Sequence, residues 1–426
     1  MSNKNSTLVV IGLGYVGLPL AIEFSKHYQV LGFDLSEKRI RELDSGFDST
    51  KETSAEDILL AKRGGRLSFT NDEGELSGKN FYIVSVPTPV DERFEPNLYA
   101  VKSASEIVGR AISKGGIVVY ESTVYPGATE EECIPIVSDI STLIPSVDFY
   151  YGYSPERINP GDKKGSVQDI VKVTSGCCSY SEKIIDELYG KIITAGTYLA
   201  SSVRVAEACK VFENVQRDVN IALVNEFSML CHSLDISSSD VLSAAATKWN
   251  FMPFTPGLVG GHCIGVDPYY LIHKANAVGN SLALTAQARK TNEFIPYFIV
   301  QNLKDQFLLN DKSASINNVL IMGYTFKENC PDTRNTKVKI IIDELVDICN
   351  RIDVYDPWVS EFDRASSGLN FVDNINTTSY DAIIITVKHD VFMDLEVDLL
   401  AKIRNEDPVF FDLKRCYVNI GSDFTL

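Results

Sequence analysis

A thiol and a carboxylate stand four residues apart in a glycine-rich segment, Phe254-Thr-Pro-Gly257-Leu-Val-Gly260-Gly261-His262-Cys263-Ile-Gly265-Val-Asp267-Pro. Glycine allows positive φ and close approach of backbone to a ligand, so Gly257, Gly260 and Gly261 are candidate ligand contacts, with Phe254 at the entrance. Cys263 is a candidate nucleophile and Asp267 a candidate acid or base beside it. A single cysteine is more often a small buried hydrophobe. The covalent reading therefore depends on what the rest of the chain binds.

Two nucleotide-type patterns frame that loop. Leu8-Val-Val-Ile-Gly12-Leu-Gly14-Tyr15-Val16-Gly17 reads as a buried strand, a tight turn and a helix start. Gly12 permits the turn, Gly14 lets a pyrophosphate reach the backbone around Tyr15 and Val16, and Gly17 lets the helix pack on the strand. A second strand, Gln29-Val-Leu-Gly-Phe-Asp34, ends in an acid twenty residues after Gly14. There a carboxylate can accept both ribose hydroxyls and repel a 2′-phosphate, which favours NAD; Arg39 nearby could accommodate that phosphate and keeps NADP open. Further strands end before Pro87-Thr88-Pro89, Ser122-Thr123 and Pro155-Glu156-Arg157. In a doubly wound sheet such positions face the cofactor crevice, although each could also be a turn or cap residue.

From Val203 to Leu234 the chain carries one long helical pattern without Gly or Pro. Glu207, Lys210, Asn214 and Arg217 share one face, and Ala208, Val211, Phe212, Val215, Val219 and Ala222 occupy another. The polar stripe could be solvated, but Asn gains nothing in a helix unless it hydrogen-bonds something. Helix is expected to continue around Ser237 to Thr247, with Asp235 to Asp240 offering cap residues. The final third returns to α/β logic: strand Asn318-Val-Leu-Ile-Met, Gly323, a loop bearing Lys327 and Arg334, a helix near Val338 to Cys349, and strands at Ile352, Tyr380 and Pro408. It lacks a full glycine fingerprint, so a mononucleotide suits it better than a second NAD. Lys327 and Arg334 are candidate diphosphate ligands, Arg by a planar bidentate contact and Lys as a point charge. The fold class is thus α/β: two doubly wound Rossmann-like domains joined by a long central helix and a helical middle domain.

Composition narrows the function classes. The chain has 426 residues and a net charge of −17, which argues against nucleic acid or anionic membrane as partners and asks for a locally basic pocket if the substrate is anionic. No stretch of eighteen apolar residues or signal-peptide pattern is present. Nine cysteines scattered without C-x-x-C pairs imply a reducing cytoplasm and no metal cluster.

Taken together, these residues resemble the nucleotide-sugar 6-dehydrogenases, the family that includes UDP-glucose and GDP-mannose dehydrogenases. The resemblance spans nearly the whole chain. It rests on Gly12 to Pro19, Val86 to Pro89, Glu121-Ser-Thr123, Ser154-Pro-Glu156-Arg157, Glu207 to Asn214, Gly260-Gly-His-Cys263 with Asp267, and Phe326-Lys327-Glu with Asp332 and Arg334. Ser154 to Lys163, Lys248-Trp-Asn-Phe and Gly257 to Tyr270 look like the branch that oxidises UDP-N-acetylhexosamines for capsules and O-antigens. The UDP-glucose branch typically carries Tyr or Phe where His262 stands.

The resemblance implies a four-electron, NAD-dependent oxidation of the sugar C6 alcohol to a carboxylate through a Cys263 thiohemiacetal and thioester. It implies that Lys210 and Asn214 stabilise the oxyanion, that Asp267 and a water near Thr123 handle protons, and that Glu156 activates or positions the hydrolytic water. Glu156, Arg157, Lys210, Asn214, Arg217, Phe254, the loop glycines, Lys327 and Arg334 are the expected UDP-sugar contacts. The expected domains are 1–202 for NAD, 203–300 for the central helix, Cys loop and dimerisation, and 301–426 for the UDP-sugar, in a homodimer. UDP-N-acetylglucosamine is favoured, with UDP-N-acetylgalactosamine close and UDP-glucose or UDP-N-acetylmannosamine as alternatives. The rival readings are a two-electron hydroxyacid or sugar-phosphate dehydrogenase with a structural Cys263, and a non-catalytic nucleotide-sugar sensor.

Overall fold

Leu8 to Ile11 are buried on both faces, as a strand between two helical layers must be, and they form the centre of a six-stranded parallel sheet. The computed structural model describes residues 7–157, 167–309, 316–376, 378–417 and 419–426. The motif residues Ile158 to Lys163 lie outside the described residues. Strands are β1 Thr7–Ile11, β2 Gln29–Phe33, β3 Leu67–Thr70, β4 Phe81–Val84, β5 Ile117–Tyr120, β6 Tyr150–Tyr153, β7 Lys172–Thr174, β8 Thr197–Leu199, β9 Ile316–Met322, β10 Cys349–Tyr355, β11 Asn370–Phe371, β12 Ala382–Ile385 and β13 Val409–Asp412. Helices are α1 Gly17–Ser25, α2 Glu37–Asp44, α3 Ala55–Arg63, α4 Tyr99–Ala111, α5 Ile134–Ser141, α6 Ser179–Tyr189, α7 Val203–Ser233, α8 Ser238–Ala245, α9 Asp267–Ala277, α10 Ala283–Leu309, α11 Val338–Val346, α12 Glu361–Ser367 and α13 Glu396–Glu406.

The chain divides into two compact units. The first comprises Met1–Glu213 with Tyr269–Asn280, the second Asn214–Pro268 with Ser281–Leu426. The first unit holds the sheet of order β3-β2-β1-β4-β5-β6, the doubly wound arrangement, and a separate parallel pair β7-β8. The second holds a parallel sheet of order β11-β10-β9-β12-β13.

The two large sheets repeat one local design. Gly12 and Gly323 both turn the chain with positive φ, 91° and 95°. Their N–H groups donate to Phe33 O and Tyr355 O at the end of the neighbouring strand. Ser85 and Thr386, each just past the strand on the other side, donate a hydroxyl to the glycine carbonyl. The copies differ where a ligand would approach: Thr325 and Glu328 occupy the places of Gly14 and Gly17.

Helix α7 runs for 31 residues, as its unbroken pattern predicts. Helix resumes beyond it at the expected cap residues. The chain turns at Asp235, with φ 55°, and α8 starts afresh under a Ser237 cap that accepts from Asp240 N. Five polar residues near Asp235 offered alternatives to helical hydrogen bonding, and the turn used them.

Candidate active site

In the first unit, the residues expected to meet a cofactor lie at the carboxyl ends of adjacent strands. A Cβ on Gly14 would meet nothing within 4 Å, so the backbone there is open to a ligand, whereas a Cβ on Gly17 would lie 1.8 Å from Gly12 O. Gly14 is free for approach and Gly17 is required by packing. Asp34 follows β2 and accepts from Leu13 N at 3.0 Å and Ser36 N at 2.9 Å, which ties the ribose-type acid to the glycine turn. These features fit the pyrophosphate and ribose of NAD. Tyr15 and Val16 are partly exposed along the same turn. Arg39 is placed differently. It is buried, with Nε on Leu13 O at 2.8 Å and a terminal nitrogen on Asp48 at 2.8 Å, so it braces the turn from beneath and its charge is already matched.

Pro87 and Thr88 follow β4, Thr123 follows β5, and Glu156 and Arg157 follow β6. Tyr270 donates its hydroxyl to Thr88 O at 2.9 Å and fixes that loop. Glu156 Oε1 accepts from Arg157 N at 2.7 Å, and Arg157 pairs with Glu213 at 2.7 Å. On α7, Glu207 and Lys210 are buried rather than solvated. Glu207 accepts from Gly127 N at 2.5 Å and Thr129 N at 2.8 Å, anchoring the loop that follows Thr123. Burial raises its pKa to about 7 against the opposing pull of those two donors.

In the second unit the glycine loop is held from several sides. Asn225 grips Gly257 reciprocally, accepting from Gly257 N at 2.8 Å and donating to Gly257 O at 3.1 Å. It also donates to Asn292 Oδ1 at 2.8 Å, and Asn292 in turn donates to Asp218, the buried partner of Arg289. Asn335 donates to Gly261 O at 3.3 Å. A Cβ on Gly260 would lie 2.8 Å from Asn335 O, and one on Gly261, where φ is 79°, would lie 2.7 Å from the Phe326 ring. These two positions admit only glycine. Cys263 closes the loop: its carbonyl accepts from Val266 N and Asp267 N at the start of α9. Asp267 is buried and accepts from Asn214 Nδ2 at 2.6 Å. The stripe asparagine thus has its partner, and that partner is the loop carboxylate.

Phe254 and Lys327 are half-buried, and Arg217 is exposed one turn beyond Asn214. Arg334 binds Asp332 bidentately, at 2.9 and 2.7 Å. Burial would raise the Asp332 pKa, but the hydrogen bonds and charge of Arg334 outweigh it and hold the carboxyl below its ordinary value. His262 Nε2 is enclosed 3.6 Å from Asp332 Oδ2, and burial followed by the Arg334 charge lowers its pKa. A residue that motif spacing did not single out, Lys414 after β13, also reaches the loop: a Cβ on Gly257 would lie 2.1 Å from its Nζ. Burial lowers the pKa of this ammonium, with Glu328 opposing.

Three domain descriptions of one family match the chain: the NAD binding domain over residues 6–195, the central domain over 204–294 and the UDP binding domain over 320–419. The chain belongs to the UDP-glucose/GDP-mannose dehydrogenase family. It is 48% identical to a UDP-N-acetyl-D-glucosamine 6-dehydrogenase of Pseudomonas aeruginosa, across 99% of this chain and 100% of that one. It is 47% identical to a protein of the same name from Salmonella typhi, across 96% and 95%. Among solved structures, a UDP-N-acetyl-D-mannosamine dehydrogenase from Pyrococcus horikoshii superposes with a TM-score of 0.85 at 29% identity, covering 93% and 92% of the two chains. As a family member, the chain uses NAD, through the domain at residues 6–195, and takes a UDP-sugar as substrate.

Proposed function

We propose that the chain is an NAD-dependent UDP-N-acetyl-D-glucosamine 6-dehydrogenase that oxidises C6 from alcohol to carboxylate. The observation that carries the covalent part of this reading is the Asn214–Asp267 hydrogen bond of 2.6 Å beside the anchored Cys263 turn. It supports a site in which an amide donor and a buried carboxylate act with the thiol four residues before that carboxylate. Two relatives at 48% and 47% identity, each matched over nearly its full length, support the sugar assignment.

Two NAD molecules, bound in turn, would each supply the acceptor for one hydride from C6. Asp267, with water near Thr123, takes the proton of the C6 hydroxyl in the first oxidation. Cys263 then adds to the aldehyde, giving a thiohemiacetal, and a second oxidation leaves a thioester. Lys210 and Asn214 stabilise the oxyanion as cation and amide donor. Water forms the new C–O bond, the C–S bond breaks, and Glu156 receives the water proton. Gly257, Gly260, Gly261, Lys327, Arg334 and Lys414 serve the diphosphate, with Phe254, Arg157 and Arg217 as further substrate contacts. Cys263→Ala tests the mechanism: uronate formation is lost while the Kd for NAD stays within about twofold, and near-normal uronate formation by the variant would contradict it.

The enzyme works as a homodimer in this reading. Val205, Phe212, Leu223 and Leu230 on α7 are 46, 62, 65 and 52% exposed, and their spacings of seven and eleven residues line one helical face. Phe212 belongs to the apolar face read from the sequence, and its side chain is exposed. Equilibrium sedimentation of Leu223→Glu should give a lighter species than the parent. We place the enzyme in the cytoplasm, where its nine free cysteines stay reduced. No helix among the described residues is long and apolar enough to cross a membrane.

A further inference from the structure

The first unit encloses a cation between two carboxylates. Lys172 opens β7, and its Nζ lies 2.7 Å from Glu121 Oε2 and 3.4 Å from Glu156 Oε2. Its side chain is 5% exposed, against 0% for Glu121 and 12% for Glu156. Tyr189, at the end of α6, donates its hydroxyl to the other Glu121 oxygen and sets its ring 5.2 Å from the ammonium.

Backbone pinning enforces this placement. Ser154 Oγ donates to Val173 O at 2.7 Å, and Ser175 Oγ donates to Tyr153 O at 2.7 Å while accepting from Tyr153 N at 3.2 Å. The short β7 strand is thereby fixed beside the segment that leads into Glu156.

A buried ammonium needs one carboxylate to balance it. Glu121, wholly enclosed and hydrogen-bonded on both oxygens, supplies that balance. The second contact, to the more accessible Glu156, goes beyond what burial of the lysine requires. Glu156 is held by Arg157 N on one oxygen and by Lys172 on the other. The Arg157 guanidinium is engaged elsewhere, with Glu213 at 2.7 Å and Val171 O at 2.9 Å. Burial pulls the pKa of Lys172 down, but Glu121 and Glu156 outweigh it and keep the group charged.

We infer that Lys172 is a positioning residue for thioester hydrolysis: it fixes the Glu156 carboxylate where it can take the proton of the attacking water. The inference rests on the hydrolytic role proposed for Glu156 above.

The test is the pH profile of kcat together with the covalent state of Cys263 during turnover. Lys172→Met leaves Glu121 and Glu156 facing each other without a cation, with Tyr189, Arg157 and Glu213 unchanged around them. The acidic limb of kcat should then move up by about one pH unit or more, because like charges oppose ionisation. kcat should fall about 100-fold, the scale of lost general-base catalysis, with both KM values within about twofold. An acyl adduct on Cys263 should accumulate and be seen by intact-protein mass spectrometry. Lys172→Arg should restore most of the rate and the limb.

An unmoved limb without adduct in Lys172→Met, or a Lys172→Arg variant as impaired as Lys172→Met, would overturn the inference. Should Lys172→Met not fold, Glu121→Gln carries the test. The ammonium then serves Glu156 alone and the limb must move down; an unmoved limb overturns the inference. Glu156→Gln separates the two levels: if it turns over without accumulating adduct while the parent yields two NADH per sugar, the role given to Glu156 has failed.

Discussion

Gly257→Ala probes how the loop meets the diphosphate. The new Cβ would lie 2.1 Å from Lys414 Nζ and 3.2 Å from Lys414 Cε, and no other atom is within 4 Å. Gly257 does not have positive φ, so its backbone accepts alanine without strain. The obstacle is the tip of a flexible side chain, which must withdraw by more than about 1 Å to reach an ordinary contact of roughly 3.5 Å. Stability should therefore change by less than about 1 kcal/mol, since loss of a glycine also restricts the unfolded chain. The withdrawn ammonium forfeits one charged hydrogen bond to phosphate, worth about 1.5–3 kcal/mol. That converts to a rise of about 10- to 150-fold in KM for UDP-N-acetylglucosamine. Steady-state rates with each substrate varied in turn should show this rise with the NAD KM within about twofold. In a Lys414→Met background the same change should add less than about threefold. An equal effect in both backgrounds, or a matching rise in the NAD KM, would refute the assignment of Lys414.

Other outcomes follow from the same geometry. Asn225→Ala strands Gly257 N–H and Asn292 Oδ1 inside the second unit and should cost about 2–4 kcal/mol in urea unfolding, two unsatisfied groups at about 1–3 each with partial relief by water. Arg334→Ala removes a half-exposed guanidinium from the buried Asp332 carboxylate, which should cost about 1–3 kcal/mol in urea unfolding, and it should raise the UDP-sugar KM about 10-fold or more while sparing the NAD KM; an equal rise in both KM values would contradict this. Glu207 gives a pH dependence with a definite sign. Its pKa is raised from 4.5 to about 7 on folding, so between these values the folded state binds more protons and stability falls as pH rises. At about 1.4 kcal/mol per unit the loss is on the order of 3 kcal/mol. Glu207→Gln should flatten the Tm profile between about pH 5 and pH 8, and an unchanged slope would show that Glu207 does not titrate there.

Much of this site could be read from residue types because a backbone requirement stood behind them. Gly12 and Gly17 are needed by a turn and a packing contact, and Gly260 and Gly261 by Asn335 and Phe326, so each carried a sequence signal. The α7 stripe was legible as spacing but ambiguous as chemistry. Glu207, Lys210 and Asn214 are buried and Arg217 is exposed, and only tertiary packing separates them. Arg39 carried the right charge in the right place for a phosphate, yet Leu13 O and Asp48 hold it inside. Lys172, Asn225 and Lys414 meet partners 16, 32 and more than 150 residues away, with no local pattern to mark them. The three-residue strands β7 and β8 were too short for a periodicity, yet β7 carries Lys172. The break after α7 falls where the Val203 to Leu234 pattern ends, and Asp235 adopts positive φ there, which polar turn residues permit.

The most direct measurement is the number of NADH molecules formed per molecule of limiting UDP-N-acetylglucosamine, with identification of the product and with UDP-N-acetylgalactosamine and UDP-glucose run in parallel. The covalent four-electron account predicts two NADH per sugar, a uronate product, and the highest kcat/KM with UDP-N-acetylglucosamine. One NADH per sugar with an aldehyde or ketone product would contradict it and leave Cys263 without a catalytic role.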